Sequence, residues 1–149
     1  MRLGHACRYK RPVTYSTAAP SALRSSGSRP PRAACRGRKL HIVAQNLIEL
    51  WVVATRPAGE NGLGMTPQQT AAELVRIKGM FLFLADNAAI YPACQALVTA
   101  HGVSGRPAHD ARLVAAIQVH GLTSILTFDE RGFSRYSGIE VIHPAGVIA

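Results

Sequence analysis

The segments "LHIVA" (Leu40–Ala44), "MFLFLA" (Met80–Ala85), "SILTF" (Ser124–Phe128) and "IEVIHP" (Ile139–Pro144) are short and mostly apolar, without an in–out alternation. A strand with one wet face alternates, whereas a continuous apolar run needs cover on both faces. Helical patterns separate these runs. "QNLIELWVVATRP" carries Leu47, Ile48, Leu50, Trp51 and Val52 as a broad apolar face and stops before Pro57. "TPQQTAAELVRIKG" opens on Thr66 as N-cap with Pro67 at the first helical position, and closes at Gly79. "DNAAIYPACQALVTAHG" predicts a helix capped by Asp86 and closed by Gly102, with Pro92 implying a kink or a later start. "SGRPAHDARLVAAIQVHG" is the next helix, and "DERGFSRYSG" a short turn or helix after "SILTF". Strand and helix alternate throughout, which predicts an α/β fold with a parallel sheet covered on both faces.

Charge divides the chain in two. Residues 1–40 hold ten Lys/Arg and no Asp or Glu, so 41–149 keep seven Lys/Arg against all eight Asp/Glu. The net charge of +9 therefore describes a leader, and the body is nearly neutral. The leader, 1–39, is rich in Arg, Ser, Pro, Ala and Gly; its one strand-like run is "VTYST", Val13 to Thr17. Such a composition predicts disorder. It suits a solvated basic tail that holds RNA through phosphates, and equally an organelle transit peptide. The domain proper is expected over 40–149.

Cys7, Cys35 and Cys94 are widely spaced with no Cys-x-x-Cys pair, which fits a reducing cytosol rather than a disulfide or zinc framework. No apolar run approaches the roughly 18–20 residues of a membrane span. No Gly-rich phosphate loop follows a strand, which argues against a small-ligand α/β protein.

The acidic residues point to chemistry. In a parallel α/β sheet, functional groups gather beyond the carboxyl ends of the strands. Glu49 lies in the first turns of the helix after "LHIVA", Asp129 follows "SILTF", and Asp110 begins the helix leading into "SILTF". The three are therefore expected at one end of the sheet. Each also has an ordinary role: Glu49 as a dipole partner, Asp110 as a cap, Asp129 as the start of an Asx-turn. Carboxylates without His or Cys partners form a hard-oxygen site suited to Mg²⁺ or Mn²⁺, and metal-dependent phosphodiester hydrolysis is the natural reaction class.

These segments, with "NGLGMTPQQ" and "VIHP", resemble the PIN-domain nucleases over about Leu40 to Val147, in particular VapC-like ribonuclease toxins of toxin–antitoxin pairs. The resemblance implies a three-layer α/β/α sandwich, cleavage of RNA on Mg²⁺ or Mn²⁺, a cognate antitoxin, homodimerisation and a cytoplasmic location. It assigns Glu49, Asp110 and Asp129 as ligands, with Asn46 and Thr127 as polar support. Arg112 would pair with an acid or touch RNA, with a solvated arginine as the default. His109 is expected in an exposed loop, and Trp51 and Tyr136 in core or rim packing.

Two departures bear on activity. The family begins with a central strand that ends in an Asp, the principal ligand, and residues 1–40 contain no Asp. It also often has Asp-Phe where this chain has Gly132-Phe133. "VTYST" is the candidate to fill the first strand's place, but it brings no carboxylate. The leader reads as a different frame or start joined near Lys39; translation of the locus upstream of Leu40 with no Asp-terminated strand in any frame counts against that. The expectation is a weak or inactive nuclease, or a degenerate PIN module that binds an antitoxin or RNA without cutting.

Overall fold

A computed structural model describes residues 15–18, 34–35 and 38–146, with side chains from residue 39 onward. In chain order the elements are β1 (Tyr15–Ala18), β2 (Ala34–Cys35), β3 (Arg38–Val43), α1 (Ala44–Thr55), α2 (Pro67–Met80) and β4 (Leu82–Leu84). They continue with α3 (Ile90–Ala100), α4 (Pro107–Val119), β5 (Ser124–Leu126), α5 (Glu130–Phe133) and β6 (Glu140–Ile142). Single 3₁₀ turns lie at Ala58–Glu60 and Pro144–Gly146. The fold is α/β.

β3 pairs in parallel with β4, and β5 in parallel with β6. β1 lies between β3 and β5, antiparallel to both, so the four domain strands share one direction and β1 runs against them. β2 joins β3 antiparallel. The expected parallel sheet therefore holds for β3 to β6 only, and the whole sheet is mixed. β3 and β5 each present an edge of unpaired N–H and C=O groups to the gap between them, and any extended segment that supplies both ladders relieves them. Tyr15–Ala18, from the "VTYST" run, does so, with Ser16 opposite both His41 and Ile125. Parts of the leader thus belong to the sheet rather than to a structureless tail; Val13, Thr14, Cys7 and the remaining leader positions lie outside the described residues.

The core sits around α4, where Ala111 and Leu113 to Ile117 are all buried. A helix apolar all round is an interior helix. It packs against Val43, Ile90, Leu122, Ile125, Phe133 and Tyr136. α3 lies along α4, while α1 packs on α2 and β3. Gly121, at φ +66°, ends α4 in the left-handed conformation, and Leu122 N–H returns to Ile117 C=O at 2.9 Å. Gly102, expected to close α3, follows that helix in the same conformation at φ +57°.

Local signals elsewhere hold in part: Gly79, expected to close α2, lies inside that helix, which runs on to Met80. Thr66 caps α2 in a reciprocal box with Gln69, and Pro67 takes the first helical position. Asp86 does not cap α3: that helix starts four residues later, at Ile90 after Ala89, which leaves Pro92 in the first turn where its missing N–H costs nothing. α1 is turned from its expected face. Val53 and Ala54 are buried, while Ile48, Trp51 and Val52 are exposed. Periodicity gave a broad stripe, and the packing of α1 on β3 and α2 chose one side of it. Among the described residues no helix is long and apolar enough to cross a membrane.

Candidate functional site

Because β3 to β6 run in one direction, their carboxyl ends share a rim. α1 leaves β3 there, carrying Glu49 in its second turn. The loop after β4 brings Asp86, and the loop after β5 brings Asp129. α4 runs toward the start of β5, so its first turn, with Asp110, returns to the same rim.

Asp129 is the N-cap of α5, its Oδ1 accepting from Gly132 N–H at 3.2 Å. Its own N–H donates to the Oγ1 of fully buried Thr127 at 3.0 Å, which fixes the turn after β5. Asp110 stands in the first turn of α4, but the N-cap is Arg106 and no side-chain cap bond forms there. Gly132 lies between the two acids. A Cβ built on it would fall 3.1 Å from Asp129 Oδ2 and 3.5 Å from Asp110 Oδ2. The two carboxylate oxygens are therefore no further apart than those distances laid end to end.

Like charges held this close oppose joint ionisation. Burial, then the charges of Asp129 and Glu49, push Asp110 from 3.8 up to about 6, against the pull of Arg135 and His109. Burial also raises Glu49, opposed by its bond from Gln45 and by His109, Arg106 and Arg112. Glu49 Oε1 accepts from Gln45 Nε2 at 2.7 Å, while its Oε2 is buried with no partner among the described residues. A buried acceptor with nothing to bind is unusual and asks for a donor or a cation. Asn46 Oδ1 accepts from Val43 N–H at 2.9 Å at the start of α1, and its Nδ2 is buried and has no partner among the described residues.

Around the acids stands a second set of groups. Arg112 Nη2 meets Asp86 Oδ2 at 2.6 Å and its Nη1 donates to Gln45 Oε1 at 2.9 Å. Gln45, almost fully buried, also donates to the His109 carbonyl at 2.9 Å. His109 is exposed, and lies within α4 rather than in a loop. Tyr136 is buried in the core, with the His101 ring edge-on at 5.1 Å. Trp51 stands at the surface of α1, and Arg106 and Arg135 are exposed close enough to act on the acids' charge.

The rim thus gathers all three acids expected of it, with Asp110 and Asp129 on either side of Gly132. Among the described residues no three His, Cys, Asp or Glu side chains already stand as a metal cage. The donor set nonetheless fits a hard divalent cation: carboxylate oxygens only, one of them orphaned, in mutual repulsion that a positive charge relieves. Sequence reading missed Gln45 and the role of Asp86. Gln45 is an unremarkable polar residue at the start of a helix, and only its spacing of four from Glu49 hinted at a contact. No protein-family model matches the chain, and comparison with curated proteins finds no match either.

Proposed function

We propose that this chain is a PIN-like, metal-dependent endoribonuclease of the toxin type, weakened by the absence of an acid on its central strand. The meeting of Glu49, Asp110 and Asp129 at one rim carries this reading: burial first, and then the charges of Asp129 and Glu49, lift Asp110 to about 6, and Glu49 Oε2 is buried without a partner among the described residues. A site built to accept Mg²⁺ or Mn²⁺ keeps carboxylates in such strained proximity, whereas a helix cap does not. The proposal includes a three-layer arrangement, which the pairing of α1 with α2 and of α3 with α4 supports. It also includes a cytoplasmic location, a cognate antitoxin and a homodimer, for which the exposed Ile48, Trp51 and Val52 of α1 offer surface.

Glu49, Asp110 and Asp129 would hold the cation. When bound, it supplies a water of lowered pKa and neutralises charge on a phosphodiester. The chain's own groups do the rest. Thr127 and the Gly132 N–H fix Asp129. Gln45 holds Glu49. Arg106 and Arg135 place positive charge beside the acids, as an RNA backbone requires.

One observation favours a second reading, a PIN module that binds an antitoxin or RNA without cutting. The strand at the centre of the sheet, Tyr15–Ala18 ("YSTA"), contains no carboxylate. Titration of the purified chain with Mn²⁺, together with an RNA-cleavage gel, separates the two. The nuclease reading expects saturable Mn²⁺ binding that Glu49→Gln and Asp110→Asn each weaken, with slow metal-dependent cleavage. Absence of Mn²⁺ binding refutes it and leaves the binding module. Rapid cleavage abolished by either variant would refute the weakening.

A further inference from the structure

Gln45 uses its whole amide. Nε2 donates to Glu49 Oε1 at 2.7 Å and to the His109 carbonyl at 2.9 Å, while Oε1 accepts from Arg112 Nη1 at 2.9 Å. The flipped amide would set its oxygen against a carboxylate and a carbonyl, and its NH₂ against a guanidinium, so only one orientation survives. Arg112 enforces that choice, and Asp86 holds Arg112 through the other arm of the guanidinium at 2.6 Å. The chain of contacts joins the loop after β4, α4 and α1, and ends on Glu49.

We infer that Arg112 is a positioning residue: braced by Asp86, it locks Gln45 so that Glu49 Oε1 is occupied and Oε2 is the oxygen left for a ligand. This rests on the proposed cation site, and it assigns Asp86 and Gln45 parts that no ligand motif would reveal. Groups that orient ligands in this way alter metal affinity by about 10–100-fold when removed. The sign of the effect separates positioning from charge. Arg112 is a cation near a cation site, so if it acted only through its field, Arg112→Met would tighten Mn²⁺ binding. Positioning demands the reverse.

The test uses the full chain with Mn²⁺ as the probe, its affinity read by water-proton relaxation, and thermal melts to confirm folding. Arg112→Met should weaken Mn²⁺ about tenfold. Arg112→Lys keeps the charge but cannot fork between Gln45 and Asp86, so it should weaken binding nearly as much. In a Glu49→Gln background, Arg112→Met should change nothing further. Tighter binding in Arg112→Met, or full affinity in Arg112→Lys, overturns the inference. A second readout needs no metal: the Gln45 side-chain NH₂ protons, followed by ¹⁵N NMR, should exchange slowly with water. They should lose that protection in Arg112→Met and in the milder Asp86→Asn. If the wild-type chain binds no Mn²⁺, the nuclease reading fails, and the Gln45 protons still decide the positioning. Protection unchanged in both variants overturns it.

Discussion

Replacing Asp110 with Asn separates a helix-start residue from a member of a strained acid cluster, because the two roles predict opposite signs. The variant keeps size and polarity and removes one charge. In the folded chain Asp110 is pushed from 3.8 to about 6 by burial, Asp129 and Glu49. At about 1.4 kcal/mol per pH unit, two units would amount to about 3 kcal/mol for a fully enclosed group. Asp110 is only half-buried, and solvent screening reduces this to about 1–1.5 kcal/mol. Against it stands the lost interaction with the helix N-terminus, about 0.3–1 kcal/mol. Asp110→Asn should therefore stabilise the chain by about 0.5 kcal/mol near pH 8, raising Tm by about 1–2 °C. The pH dependence is the sharper check. A folded pKa above the unfolded one means the native state binds the proton more tightly. The penalty is absent below the unfolded value of 3.8, grows between there and about 6, and is complete above. Melts of both proteins across that window should show the variant's advantage appearing as pH rises through it. A variant less stable than wild type near pH 8, by an amount that does not change with pH, would refute the reasoning and leave Asp110 as a first-turn partner of the helix dipole.

Gly132→Ala would set a methyl 3.1 Å from Asp129 Oδ2 and 3.5 Å from Asp110 Oδ2; Mn²⁺ affinity should fall severalfold in a relaxation titration while the melt stays within about 1 kcal/mol of wild type. Phe133→Ala empties a fully buried position and should cost about 3–5 kcal/mol, read as a Tm drop on the order of 10 °C. Thr66→Ala breaks the box with Gln69 and should cost about 1 kcal/mol in a denaturant melt, with Mn²⁺ binding unaffected.

Much was legible in the sequence because it was local. The Gly102 stop, the Thr66–Pro67 helix start and the apolar runs each act within a few residues, and α/β alternation follows from them. So did the convergence of Glu49, Asp110 and Asp129, since strand direction alone sends the starts and ends of elements to a known rim. What the sequence left open depends on groups distant in the chain. Which side of α1 is buried was settled by β3 and α2. Asp86 turned from a cap into the brace of Arg112 because α4 passes beside it. Gln45 acquired its role only when α4 set His109 and Arg112 against it. The reversed strand at the centre of the sheet is the clearest case: Tyr15–Ala18 is weakly patterned, and it is ordered by the two unpaired edges that β3 and β5 present on either side. Short-range propensity cannot encode a hydrogen-bond demand that arises only after the neighbouring strands are in place.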